Sequence, residues 1–252
     1  MANEDDYDYY KYLLDKETLP NKLNIVLEEI RATVINWIIS FGFSSDNSVI
    51  HMAIVIFDRL LSSNTIESKY LRIAGAACFF IASKYEDVYP IKIAEIVYSM
   101  EGTATESNLM QMEVLVLKSI DYHVRIPSAN TFLCELARLL PQDVYNNSFK
   151  LSSYYTEISL LTTSSLQFPY SMVAASSLAL SQIVLEVNDP WPENIVKLTN
   201  LELADMHDCI LFISVFISRA KEYPQTKEVR EKYGYKKYSS VARIKQPDNL
   251  PR

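Results

Sequence analysis

Through most of this 252-residue chain apolar residues recur at spacings of three and four, and only 4 glycines interrupt them. That period belongs to helices that bury one face, and few runs alternate as strands would. The expected fold is therefore all-α. Breaks fall near Gly42 to Asn47, Ser62 to Ser68, Tyr89-Pro90, Glu101 to Ala104, Ile126-Pro127, Pro141, Phe168-Pro169, Asp189-Pro190 and Asn200, leaving about ten helices between them. A short helix should precede these. Tyr10, Leu13 and Leu14 form an apolar stripe behind the acidic opening NEDD, where negative charge suits a helix N-terminus.

The breaks are not scattered at random. DVYP at Asp87 to Pro90 and DPWP at Asp189 to Pro192 share a pattern, each follows a helix rich in small residues, and their final prolines stand 102 residues apart. At that offset Ile93 meets Ile195, Ala77 meets Ala179, Ile81 meets Ile183, and Ser62-Ser63 meets Ser164-Ser165. Two five-helix units split near Ile126 to Ala129 account for this better than one irregular domain. The alternative is coincidence in a helical chain rich in Ala and Ser. Small residues at Ala74 to Ala77 and at Ala174 to Ser177 would let neighbouring helices come close, as a central helix in each unit requires. The expected divisions are 1–21 for an N-terminal segment, 22–126 and 127–224 for the two units, and 225–252 for a tail.

Charge and cysteine content narrow the chemistry. Lys and Arg number 24 against 31 Asp and Glu, a net charge of -7, so the chain has no strong pull toward nucleic acid or an anionic membrane. Cys78, Cys134 and Cys209 are far apart and lie among apolar neighbours, which suits a reducing, intracellular setting. Neither a secretory leader nor a membrane-length apolar run is seen, so a soluble protein with protein partners is expected. There is no phosphate-binding glycine loop, nucleophile elbow, H-E-x-x-H or C-x-x-C, and His51, His123 and His207 lack ligand spacing. No catalytic residue, metal or cofactor is therefore expected.

Two charges stand out by position. Glu113 has Leu109, Met110, Val116 and Leu117 as helical neighbours, a costly setting for a carboxylate unless something pairs it. Lys84 lies over Phe80 and Ile81, with Asp87 beyond it. Lys84 is either a cation snorkelling at a helix C-terminus or a residue aimed at a partner. Glu113 is either half of an intramolecular salt bridge or functional. At the 102 offset Lys84 meets Glu186, Glu113 meets Val215, and Arg31 and Trp37 meet two leucines. Features of the shared scaffold should recur in both copies, so their confinement to one copy favours a site there.

These residues occur in runs that resemble the cyclins, nearest to the A and B types. IRATVINWI resembles the signature opening the first cyclin box, IFDRLLSS the D-R-[FL]-L-S run, and IASKYEDVYP the A-S-K-[FY]-E-[ED]-x-[YP]-P segment. MEVLVLKSIDYHV resembles M-E-x-x-[IV]-L, and REKYGYKKYSSVA the tail after the second box; the likeness runs from Lys22 to Ala242. It implies two tandem five-helix boxes and a subunit that activates a cyclin-dependent kinase as a heterodimer, without chemistry of its own. Lys84 and Glu113 match the pair that bonds backbone groups around the kinase's regulatory helix, and Tyr85 would pack beside them.

The resemblance also implies a groove for R-x-L motifs of protein substrates and inhibitors, formed by Ile30, Arg31, Thr33, Val34, Trp37, Ser40 and Arg72. Here the chain departs from the family. Ile30, Thr33 and Val34 replace Met, Ile and Leu, Ser40 stands where an acid is usual, and Arg72 where a glutamine is. Losing an acid and gaining a cation opposes a basic ligand, each change weighing about 1 kcal/mol where partly buried, so binding should be weakened. The alternative for Trp37 is simple core packing, which holds in part even where its edge lines the groove. Asn36 replaces the acid that usually pairs with the arginine matching Arg31, so that ion pair is expected to be missing.

No arginine precedes Arg31, which leaves no room for an R-x-x-L destruction signal. With the altered groove, this resembles a virus-encoded cyclin of the gammaherpesvirus kind, acting in the nucleus or cytoplasm of a host cell. A different reading is a cyclin-fold transcription factor that binds nucleic acid or the basal transcription machinery. Only Arg230 to Lys237 offers it a basic cluster, which is otherwise a solvated end.

Overall fold

The structure is a computed structural model that describes residues 4–18, 25–63 and 66–245. Among the described residues there are twelve α-helices and no strand, in agreement with the all-α reading. The chain forms two compact units, one of Thr18–Ile126 with Leu161–Gln167, the other of Met1–Glu17, Pro127–Leu160 and Phe168–Arg252. The expected boundary between residues 21 and 22 lies outside the described residues.

The first unit holds α2 (Ile25–Phe41), α3 (Asn47–Ser62), α4 (Leu71–Glu86), α5 (Ile93–Ser99) and α6 (Glu106–Ser119). Side-chain caps start two of them. Asp46 accepts from the Ser48 N–H ahead of α3, and Thr105 and Asn108 form a capping box ahead of α6, satisfying N–H groups that have no partner within the helix. At the centre α4 packs on the other four helices, and Leu71, Ala74, Gly75, Ala76, Ala77 and Cys78 are buried. The approach of α2 is closest at Gly75, where a Cβ would stand 2.2 Å from Val34 Cγ1. Only a residue without a side chain permits that crossing.

The second unit repeats the plan with α7 (Ala129–Ala137), α8 (Gln142–Ser159), α9 (Tyr170–Val184), α10 (Glu193–Thr199) and α11 (His207–Ser218). Here α9 is central, packs on α7, α8 and α11, and buries Ala174, Ala175, Ser176 and Ser177. Asn200, in the left-handed region with φ 55°, ends α10. The copies differ most at their first helix, 17 residues in α2 and 9 in α7.

The two ends of the chain complete this second unit. In α1 (Glu4–Lys16) Tyr10 and Leu13 are buried, and Tyr10 meets Phe132 of α7 edge-on at 5.6 Å. Leu14, expected in the same stripe, is exposed, because it follows Leu13 by one residue and so points some 100° away. Beyond the helix the Glu17 carboxylate accepts from the Ser171 N–H and hydroxyl, both at 2.8 Å. Pro169 precedes α9 without a capping side chain, so Glu17 supplies the cap from outside.

The basic end is not a solvated tail. In α12 (Lys227–Lys232) and the residue after it, Val229, Lys232 and Tyr233 are buried. Lys232 Nζ lies 3.0 and 2.8 Å from the two carboxylate oxygens of Glu157 in α8, and the Tyr233 hydroxyl donates to Glu157 at 2.9 Å. A charge so enclosed is tolerable only with its partner present, and that partner lies 75 residues earlier.

Replacing Gly75 by Ala forces Val34 or the helix axes to move and should lower the unfolding free energy by about 1–3 kcal/mol in urea titrations. Val34→Ala in the same chain should return part of that loss.

Candidate functional site

The last turn of α4 is shaped by a buried hydroxyl. Ser83 donates to Asp87 Oδ2 at 2.8 Å and accepts from the Ile91 N–H at 2.9 Å, which pins the turn that leaves the helix. Side chains of that turn are consequently held in solvent: Tyr85 is half exposed, Val88 is 86% exposed and Tyr89 91%. Tyr98 on α5 and Met110 and Val114 on α6 are also exposed. These three helices pack on one another.

Lys84 and Glu113 are brought together within this surface. Their side chains form an ion pair, with Lys84 39% exposed and Glu113 16%. The Lys84 ammonium also lies 4.2 Å from the centre of the Phe80 ring. Glu113 sits between buried Leu109 and Val116 but keeps some exposure, and the cation that pairs with it is Lys84. Because the lysine side is well solvated, the pair is weak enough to exchange partners.

Comparison of the two copies isolates what is peculiar to this surface. Tyr89 and Trp191 occupy the same place in the repeated motif, yet Trp191 is 5% exposed and its indole N–H donates to the Leu201 carbonyl at 2.8 Å. The aromatic that one unit uses as core is displayed by the other. A tyrosine and a valine are held almost wholly in water on a turn fixed by Ser83.

The residues assigned to a groove divide into two groups. Ile30, Thr33, Trp37 and Ser40 recur at three and four along α2 and reach its outer face, Ile30 and Trp37 half-buried, Thr33 and Ser40 exposed. Trp37 stacks on Phe41 at 5.1 Å, and Phe41 meets Phe79 of α4 edge-on at 5.3 Å, so the indole is anchored on one side and open on the other. Arg72 is exposed at the start of α4, in a cleft of about 640 Å³ shared with Lys69, Tyr70, Ile73 and Met100. Its lining contains no carboxylate.

Arg31 and Val34 lie inside. Val34 is packed at Gly75, and Arg31 is fully buried, its Nε and Nη2 donating to the two Asp58 oxygens at 2.5 and 2.8 Å. The ion pair expected to be missing beside Asn36 is thus replaced by a bidentate pair to α3, and Arg31 cannot line a surface groove. Asp58 was visible as the acid of the IFDRLLSS run, but nothing local ties it to an arginine 27 residues earlier. Among the described residues no group of three or more His, Cys, Asp or Glu could hold a metal ion, and no helix is long and apolar enough to cross a membrane.

Two five-helix units of one design define a repeat of the cyclin-box class. The sequence matches the cyclin N-terminal domain over residues 6–125 and the cyclin C-terminal domain over residues 127–247, nearly its whole length, and the chain belongs to the cyclin family. It is 30% identical to the G2/mitotic-specific cyclin-A of Patella vulgata over 96% of this chain and 58% of that protein. With cyclin-A2 of Homo sapiens it shares 28% identity over 89% of this chain and 52% of that protein. The chain therefore spans little more than half the length of these curated relatives. Among solved structures it is similar to a viral cyclin from herpesvirus saimiri, with a TM-score of 0.69, 19% identity and coverage of 90% of this chain and 97% of that one. It is also similar to a chain of the yeast RNA polymerase II CTD kinase complex, with a TM-score of 0.62, 11% identity and coverage of 100% and 86%. At such identities the likeness concerns the fold.

Arg31→Ala strands the Asp58 carboxylate and should lower stability by about 3–5 kcal/mol in chemical denaturation. Ser40→Ala, exposed on the same helix, should change it by less than about 0.5 kcal/mol.

Proposed function

We propose that this chain is the regulatory subunit of a cyclin-dependent kinase, which it binds through the α4–α6 surface and activates, promoting cell-cycle progression. The observation that carries this reading is the ion pair of Lys84 and Glu113 amid displayed aromatics, in one copy of a duplicated scaffold and not the other. In the complex the pair opens. The ammonium donates to carbonyls left unpaired at an end of the kinase's regulatory helix, and the carboxylate accepts from unpaired N–H groups. Tyr85 and its apolar neighbours pack against the helix, which moves so that its glutamate reaches the catalytic lysine, and the activation segment is reshaped. Activation is differential binding to the active conformation. The family, and the kinase complex to which one structural relative belongs, support this reading.

The outer face of α2 is read as a docking groove of reduced affinity for R-x-L motifs, with Ile30, Thr33, Trp37, Ser40 and Arg72 at its surface. The cleft at Arg72 holds no α2 residue in its lining, and the reduction is read from the charge of Arg72, which opposes a basic ligand. Together with the likeness to a viral cyclin, the changed groove supports a virus-encoded regulator, acting in the nucleus or cytoplasm of a host cell. The nucleic-acid reading loses weight, because Lys232, at the centre of its basic cluster, is consumed by Glu157.

Mixing the protein with unphosphorylated cyclin-dependent kinases and measuring both complex formation and kinase activity tests this function, and failure to bind any of them overturns it. Lys84→Ala and Glu113→Ala should each weaken the complex by about thirtyfold or more, as central interface residues do, while the melting temperature of the free chain falls little. Equal losses of binding and folding would reduce the pair to a structural salt bridge. For the groove, an R-x-L peptide should bind the double variant Ser40→Asp, Arg72→Gln about tenfold more tightly than the unaltered chain. Unchanged affinity would remove Arg72 and Ser40 from the groove.

A further inference from the structure

A second concave site lies wholly within the second unit, far in sequence from Lys84. It is a cleft of about 840 Å³ between α8, α12 and the segment that follows α12. The Lys232 and Tyr233 bonds to Glu157 fix α12, and the neighbouring Arg230 is turned toward the cleft. Past it the chain reverses through Ser239 and Ser240, both in the left-handed region with φ 55° and 53°, and Lys150 ties the turn by donating to the Ser239 hydroxyl at 3.0 Å. The Ala242 N–H then donates to the Tyr233 carbonyl at 3.2 Å, which brings Arg243 back beside α12.

Four cations line this cleft, Lys221, Arg230, Arg243 and Lys245, and the first three make no ion pair among the described residues. Arg230 is held only by its Nε, which donates to the Thr226 hydroxyl at 3.0 Å, so both terminal nitrogens remain available. The single acid of the lining, Glu231, is exposed and faces Lys227 at 3.8 Å. In a chain of net charge -7, such a gathering of cations beside a single exposed carboxylate runs against the background.

Tyr154 adds an independent observation. It is 2% exposed, its ring lies against Tyr155 and Tyr233, and it lines the cleft, yet its hydroxyl makes no hydrogen bond among the described residues. Burial pushes this phenol up to about 12 while Arg230 pulls it down, so at neutral pH it is a donor. A phenol donor on the cleft wall, beside cations that make no ion pair, is a place for an acceptor with several oxygens and more than one negative charge. Ile217 and Ile244 form apolar walls beside it. Nucleic acid fits less well, since the cations converge on one hollow and do not follow a stripe along which successive phosphates could lie.

We propose that this cleft binds a phosphorylated side chain of a protein partner, with Lys221, Arg230, Arg243 and the Tyr154 hydroxyl on the phosphoryl oxygens and Ile217 and Ile244 on the flanking residue. This site is separate from the kinase-docking surface and does not rest on that reading. The full chain alone is titrated, by fluorescence anisotropy, with a labelled degenerate nonapeptide pool carrying a fixed central phosphoserine, and with the same pool carrying serine. The phosphorylated pool should bind, and the serine pool at least about tenfold more weakly. Lys221→Gln, Arg243→Gln and Tyr154→Phe should each weaken binding by about tenfold with the melting temperature unchanged, and Lys84→Ala should not affect it. Absence of binding, or equal binding of the two pools, overturns the proposal. So does binding of inorganic phosphate as tight as that of the pool, which would mean an anion site without a peptide. A duplex oligonucleotide that binds as tightly and is lost in the same variants would reassign the surface to nucleic acid.

Discussion

The close crossing of α2 over α4 at Gly75 is the constraint on which the first unit depends. Because a single missing side chain lets Val34 sit against the backbone of α4, the two helices share one interior, and Ile35, Ile38 and Ile39 reach complete burial. The same crossing decides what α2 can show outside. With Val34 and Arg31 turned inward, the residues left for solvent are those a turn apart from one another, Ile30, Thr33, Trp37 and Ser40. Packing and surface are therefore two sides of one helical register.

Duplication makes the specialised features readable. Both units place a small-residue helix at the centre and end it with the same aspartate, aromatic and proline, yet one aromatic closes a core and the other stands in water. A similar divergence separates the charges. The first unit spends its buried arginine on Asp58 within its own core, while the second uses Glu157 to fasten α12, an element the first does not have. Among the described residues each unit thus carries an enclosed ion pair that serves cohesion, and the pair at Lys84, being partly solvated, is of another kind.

Much of the architecture was legible because its causes are local. Helix period, breaker residues and the stripes at Ala74 and Ala174 need only a window of a few turns, and the repeated Asp-aromatic-Pro motif needs only comparison of the chain with itself. Lys84 and Glu113 stand out in the sequence because charge among apolar neighbours is a local anomaly. What escaped depends on distant partners: Arg31 with Asp58 27 residues on, Lys232 with Glu157 75 away, and Glu17 with Ser171 154 away. No periodicity announces such pairs, and so Arg31 was assigned to the groove and the basic end to solvent. The exposure of Tyr89 was equally hidden, since the motif it shares with Trp191 is silent about burial.

The clasp of Glu17 on Ser171 sets an order of events during synthesis. Glu17, just past α1, emerges 154 residues before the N–H group it will cap, and Tyr10 and Leu13 of α1 have no surface to rest on until α7 and α10 have followed. The second unit can close only after its last helices are made. Helix α1 is then the final piece of its own lock, and the main part of the first unit, Thr18–Ile126, has time to fold while that piece waits.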